Sequence, residues 1–130
     1  MTDLEEARSF FSKDIYATQT TGIEIEAVDT HYAKCSLKID ERHRNATGQV
    51  MGGAAYTLAD FVFAVAANFK QSVTVTTVSQ ISYLGPVKGS ILYGESRLIK
   101  DGKRNCFYQI DITDDLGTPI AVVSVNGVHL

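Results

Sequence analysis

The sequence predicts an α+β fold, a curved antiparallel sheet with one long helix lying against it. Three observations carry this. Two alternating apolar runs precede a long apolar stretch free of breakers, and four further strand-like runs follow it in meander-like succession. Strands and helices do not alternate, which excludes a doubly wound nucleotide fold.

Thr2 or Asp3 can cap a short helix reaching about Phe11, with Leu4, Ala7, Phe10 and Phe11 on one side. Residues 14–21 read as an irregular link. Residues 22–29 alternate, with Ile23, Ile25 and Ala27 facing inward. After the turn at Asp29-Thr30-His31, Ala33, Cys35, Leu37 and Ile39 share a face while Lys34, Ser36 and Lys38 face water. Two such runs joined by a short turn make an antiparallel hairpin. A polar loop, residues 40–48, feeds the helix. Strands then cover 73–83, 90–99, 105–113 and 120–128, separated by Gly85-Pro86, Asp101-Gly102 and Asp114-Asp115-Leu116-Gly117 turn signals.

A length of 130 residues suits one domain, residues 1–130, with a single core. A formal charge of -3 argues against general affinity for nucleic acid or anionic membrane. Lys88, Arg97, Lys100, Lys103 and Arg104 fall close together, as either a solvated strand-and-turn surface or a seat for a phosphorylated ligand. Cys35 and Cys106 sit in apolar strand patterns with no CxxC partner and no His at ligand spacing. They read as buried, reduced thiols of a cytoplasmic protein, with no metal. The acidic N-terminus is no signal peptide, and residues 50–67 form a core helix rather than a membrane span, since Asp60 lies mid-segment.

Residues 45–69 carry one formal charge, Asp60, and begin with Gly52-Gly53 at the expected helix start. Such a carboxylate either has a partner or a task, or points from the helix edge to water. Gly-Gly is either a hinge or a site where a ligand meets free backbone N–H groups.

The run His43-Arg-Asn45-Ala-Thr-Gly48-Gln-Val-Met51-Gly52-Gly53, followed by Leu58-Ala-Asp60, resembles hotdog-fold acyl-CoA thioesterases of the PaaI (phenylacetyl-CoA thioesterase-like) type. Their pattern is H-x-N-x-x-G-x-x-H-G-G, then an acid within L-x-D. Ile81-Ser-Tyr83-Leu-Gly-Pro86 and Gly102-Lys103-Arg104 resemble later family motifs. The resemblance implies a sheet wrapped around a central helix and an acyl-CoA substrate, with no separate cofactor.

It further implies that the Gly53 N–H, helped by Gly52, binds the thioester oxyanion at the positive end of the helix. Asp60 is then nucleophile or general base. Asn45 either binds the attacking water or thioester carbonyl, or closes an Asx-turn. His43 reads as a loop residue supporting Asn45. Thr76, on the third strand, matches a family Ser or Thr that positions acid or water, and Thr77 takes its place if the alignment slips by one. Met51 stands where the family has His, a departure that alters substrate choice, or simply fills a pocket wall. By the same resemblance Lys88, Lys103 and Arg104 contact the nucleotide of coenzyme A. Tyr56, Phe61 and Phe63, with Phe10 and Phe11, line an acyl pocket for aryl or medium-chain groups, or belong to the core.

Gly53 and Asp60 are seven residues apart, about 10 Å along one helix. Reacting groups must come within about 3–3.5 Å of one carbonyl. Two antiparallel helices related by a two-fold axis satisfy this, each chain giving one half of each site. A homodimer follows, and the resemblance implies that such dimers can pair into a dimer of dimers. The remaining alternatives are a non-catalytic acyl-CoA-binding hotdog protein and a hydratase-type lyase, disfavoured because the helix has no His.

Overall fold

The computed structural model describes residues Met1–Leu130. Helix α1 (Asp3–Phe11) is closed by a capping box. Thr2 Oγ1 accepts from the Glu5 N–H at 3.1 Å, and Glu5 Oε1 accepts from the Thr2 N–H at 3.0 Å. Ala7 and Phe11 are buried, whereas Phe10 is exposed. The link that follows is not irregular: Tyr16–Thr21 form a π-helical turn ended by Gly22 at φ 91°.

Strands β1 (Ile23–Asp29) and β2 (Tyr32–Lys38) form the expected hairpin. Ser36 departs from the expected pattern, being buried with its hydroxyl donating to Glu26 at 2.6 Å. A 3-10 turn at Glu41–His43 interrupts the polar loop, and His43 is buried within it. Helix α2 runs Gly52–Asn68, followed by β3 (Thr74–Tyr83), β4 (Ile91–Asp101), β5 (Asn105–Asp114) and β6 (Pro119–His129).

The six strands form one antiparallel sheet in the order β1-β2-β4-β5-β6-β3. The last four strands are therefore not a simple meander. β4, β5 and β6 are, but β3 crosses to the far edge and pairs with β6, while β4 pairs with β2. The connection through α2 causes this. The helix packs across the inside of the curved sheet, so the chain leaving it emerges at the opposite edge. This is the hotdog arrangement.

The core lies between α2 and the sheet, with Leu58, Val62 and Val65 fully buried. A Cβ on Gly94 of β4 would come 2.9 Å from Val62 Cγ2 and 3.2 Å from Leu58 Cγ. Its absence sets how closely the helix approaches the strand. Phe63 meets Tyr108 edge-on at 5.5 Å. At one end of the sheet, the buried Asp114 accepts from four backbone N–H groups. Oδ2 takes those of Lys88 and Gly89, and Oδ1 those of Leu116 and Thr118, all within 3.0 Å. One carboxylate thus ties the β3–β4 loop to the β5–β6 turn.

Candidate active site

Along α2, Gly53, Tyr56, Thr57, Asp60 and Ala64 recur every three or four residues and so share a face. This face is not covered by the sheet. It forms one wall of a cavity of about 750 Å³, with Asp14, Ile15, Tyr16 and Ala17 of the π-turn region and Ser79 of β3 on the other walls. The π-turn is held by Arg42, whose guanidinium donates to the Gln19 and Thr20 carbonyls and pairs with Asp40 at 2.9 Å. His43 assists, its Nε2 lying 2.7 Å from the Thr21 carbonyl while Nδ1 accepts from the Asp40 N–H. That carbonyl can only accept, so Nε2 carries the proton.

At the helix start, Met51 is an extended N-cap with no side-chain cap. The Ala54 N–H bonds to the Met51 carbonyl, and the N–H groups of Gly52 and Gly53 have no partner within the chain. Free donors at the positive helix end suit a developing oxyanion. Space above Gly53 is open, with nothing within 4 Å of where a Cβ would lie. Gly52 is different. Tyr83 Oη donates to its carbonyl at 2.8 Å and would lie 2.7 Å from a Cβ there. The tyrosine of the Ile81–Pro86 motif therefore braces the helix start, and a side chain at Gly52 would have to displace its ring.

Asp60 is exposed in one chain yet recessed in the cavity wall. Desolvation raises its carboxyl pKa above the usual value, and the nearby Asp14 carboxylate raises it further. Tyr56 Oη donates to Ser79 Oγ at 2.8 Å across the cavity, and Thr57 Oγ1 donates to the Gly53 carbonyl at 2.8 Å.

Of the residues expected from sequence, the cavity brings together Gly53, Tyr56, Phe61 and Asp60. Others lie elsewhere. Asn45 Oδ1 accepts from Thr47 N–H, Thr47 Oγ1 and Gln49 N–H, so its side chain closes an Asx-turn. His43 does not hold the Asn45 side chain but anchors the π-turn. Met51 is exposed. The β3–β6 ladder bulges between Thr76 and Val78, with Thr77 as the extra residue and its Oγ1 donating to the Asn126 carbonyl; within one chain the β3 residue in the cavity is Ser79. Phe11 and Phe63 are core, and Phe10 is exposed outside the cavity, so none of the three lines it. The basic stretch is divided. Lys88 lies before the start of β4 and Lys103 and Arg104 beyond its end, about 33 Å apart along the strand at ~3.3 Å per residue. One chain does not gather the three around one ligand.

Sequence reasoning missed Asp14, Tyr16, Thr57 and Ser79. Thr57 carried a signal, being four residues after Gly53 on the same helix face. The others reach the cavity through non-local folding.

Residues 47–121 match the sequence profile of the thioesterase superfamily. The chain is 30% identical over 83 residues to human acyl-coenzyme A thioesterase 13, a match covering 62% of this chain and 59% of that protein. It thus spans less than two thirds of that relative's length. It is 25% identical over 119 residues to Escherichia coli acyl-coenzyme A thioesterase PaaI, covering 91% of this chain and 84% of that one. The solved E. coli PaaI structure superposes with a TM-score of 0.84 at 21% identity, covering 98% of this chain and 96% of that one. A Streptococcus pneumoniae hypothetical thioesterase solved with coenzyme A gives 0.84 at 20% identity, covering 92% and 96%. With its helix-wrapping sheet and the matched span running from the motif loop through α2 into β6, the chain belongs to the thioesterase superfamily, in a PaaI-type hotdog fold.

Proposed function

We propose that this chain is an acyl-CoA thioesterase that hydrolyses an aryl- or medium-chain acyl-CoA to the free acid and coenzyme A. The observation that carries the reading is the placing of the unpaired Gly53 N–H and the cavity-lining Asp60 carboxylate on the open face of a single helix. The Gly53 N–H receives the thioester oxygen as it gains charge, with Gly52 holding the turn against Tyr83. Asp60 attacks the carbonyl carbon or takes a proton from the attacking water, and the thiolate of coenzyme A leaves. Tyr16, Tyr56 and Phe61 suit a flat or medium-length apolar acyl group. The relative solved with coenzyme A supports the substrate class.

The active unit is a homodimer, free or paired into a tetramer, because Gly53 and Asp60 of one helix are about 10 Å apart. Each site takes Gly53 from one chain and Asp60 from the other. The free edge of β3, with Val75 and Val78 exposed, offers unpaired backbone groups for such an association. Asn45, Thr76, Thr77 and Met51 then act across that interface, and Lys88 of one chain joins Lys103 and Arg104 of another around the nucleotide. Two buried, reduced thiols fit a cytoplasmic setting.

The test pairs an acyl-CoA panel, read by released thiol, with subunit mixing. Asp60→Ala and Gly53→Pro are each expected to abolish turnover; proline is tolerated in a first helical turn but has no N–H. Co-refolded at equal amounts, half the dimers are mixed and each regains one of two sites, so about a quarter of wild-type activity returns. No recovery would place the site within one chain. Tight acyl-CoA binding without turnover by the wild-type protein would make it a binding protein instead.

A further inference from the structure

Beyond the C-terminal end of α2, three strands bring together side chains that the sequence keeps far apart. Asp101 ends β4 and pairs with Cys106 of β5, which pairs with Gly127 of β6. His129 follows Gly127 by two residues and so projects to the same face. Carboxylate, thiol and imidazole ligand atoms of Asp101, Cys106 and His129 all lie within 4.8 Å of one another. None of these residues lines the Asp60 cavity, and Thr74, which pairs with His129, is held by Asn68 at the far end of the helix from Gly53.

The hydrogen bonding around His129 is compatible with a bound ion. Thr74 Oγ1 lies 2.7 Å from His129 Nδ1 and 3.2 Å from the Ser72 carbonyl, so its one hydrogen can serve either. With that hydrogen on Ser72, Oγ1 accepts from Nδ1 and the Nε2 lone pair faces Asp101 Oδ1, 2.8 Å away, the arrangement a cation between the two requires. The second carboxylate oxygen is steadied by His31 Nε2 at 3.5 Å. His31 stands in the left-handed region at φ 55°, with Tyr108 Oη 3.4 Å from its Nδ1.

We propose that Asp101 Oδ1, Cys106 Sγ and His129 Nε2 bind a divalent transition metal of the zinc class, with water in the fourth position. The mixed sulfur, nitrogen and oxygen donors suit Zn²⁺ and exclude Mg²⁺ and Ca²⁺, which take oxygen ligands. The Thr74 hydroxyl supplies the acceptor that a metal-binding histidine needs on its other nitrogen. As the metal–sulfur bond forms, the Cys106 thiol proton leaves to solvent, so carboxylate and thiolate together offset the two positive charges. Tetrahedral zinc ligands stand about 3.3–3.7 Å apart, so on binding the His129–Asp101 pair opens from 2.8 Å while separations nearer the 4.8 Å limit close. The partly exposed Asp101 and His31 are the way in. Such an ion clasps β4, β5 and β6 at one end, independently of thioester chemistry.

The experiment titrates chelator-treated, reduced full-length protein with Co²⁺ and follows thiolate-to-cobalt charge-transfer absorption, then displaces the Co²⁺ with Zn²⁺. One equivalent with a tetrahedral, thiolate-ligated spectrum is expected. Cys106→Ala should abolish the charge-transfer band and Cys35→Ala should leave it unchanged. His129→Asn, at a partly exposed position, should weaken binding at least tenfold and serves if the Cys106 variant fails to fold. Thr74→Val should weaken binding by roughly 10–100-fold. No saturable binding, a spectrum without the thiolate band, or a band unaltered by His129→Asn would overturn the site.

Discussion

At the scale of single residues, the pairing of Asp60 with Asp14 shapes both chemistry and stability. Desolvation raises the Asp60 pKa and the Asp14 charge raises it further, so the native state holds the Asp60 proton more tightly than the unfolded chain. On the proposed mechanism turnover needs the ionised form, so it should fall as pH drops through this raised value. Asp14→Asn removes one repelling charge, so the acid limb of the kcat/KM profile should move to lower pH; an unmoved limb would dissociate Asp14 from the site. The same sign applies to folding. Above its raised pKa the ionised Asp60 costs stability; the cost fades as pH falls through that value and is gone below the unfolded carboxylate value. Asp60→Asn should therefore raise Tm near neutrality and leave it unchanged in acid, in a protein that no longer turns over substrate, as scanning calorimetry at two pH values would show. Gly53 and Asp60 were legible in the sequence because both lie on one helix, where spacing fixes direction. Asp14 and Ser79 were not, because a π-turn and a crossing strand deliver them.

At the scale of elements, the loops matter as much as the strands. Burial opposes ionisation of Asp114, yet N–H donors from Gly89, Thr118 and Lys88 outweigh it and hold the carboxyl far below the usual range. Its stabilisation is complete above the unfolded carboxylate value and is lost only as pH falls through that depressed one. Asp114→Asn keeps one acceptor and turns an amide toward two donors, at a cost of about 2–4 kcal/mol. Tm should fall by roughly 10 °C at neutral pH, with the gap to wild type narrowing in strong acid. A loss under 1 °C would show that the β3–β4 loop is held by other means. The strands themselves were readable from period-two alternation, and the capping box from Thr2 and Glu5. Ser36 was misplaced because alternation gives a face but not what covers it: Glu26 lies over the hydroxyl. The six-residue π-turn has no periodic apolar signature and passed for an irregular link.

At the scale of the whole molecule, strand order was the part the sequence left hidden. Consecutive strands are most often neighbours, and β4, β5 and β6 obey that rule. β3 does not, because the chain must first pass along α2 on the inside of the sheet. The consequence is an edge with apolar residues on it and a helix face left open, both on elements next to each other in sequence. Sequence spacing likewise could not show Asp101, Cys106 and His129 as a cluster, since cross-strand register alone unites them.

If each site is shared between two chains, as proposed from the roughly 10 Å between Gly53 and Asp60, catalysis is subject to mass action. If neither chain holds a whole site, specific activity is not a constant of the protein but a function of how much of it is present. Rate per chain should fall on dilution below the dimer dissociation constant and return, with a lag set by re-association, when the protein is concentrated. Excess inactive Asp60→Ala chain added at high dilution should raise the rate to a plateau, because each wild-type chain drawn into a mixed dimer keeps one site, its own Asp60 facing the variant's Gly53. A specific activity constant down to the detection limit of the thiol assay, where light scattering at higher concentration shows monomer, would remove the shared site.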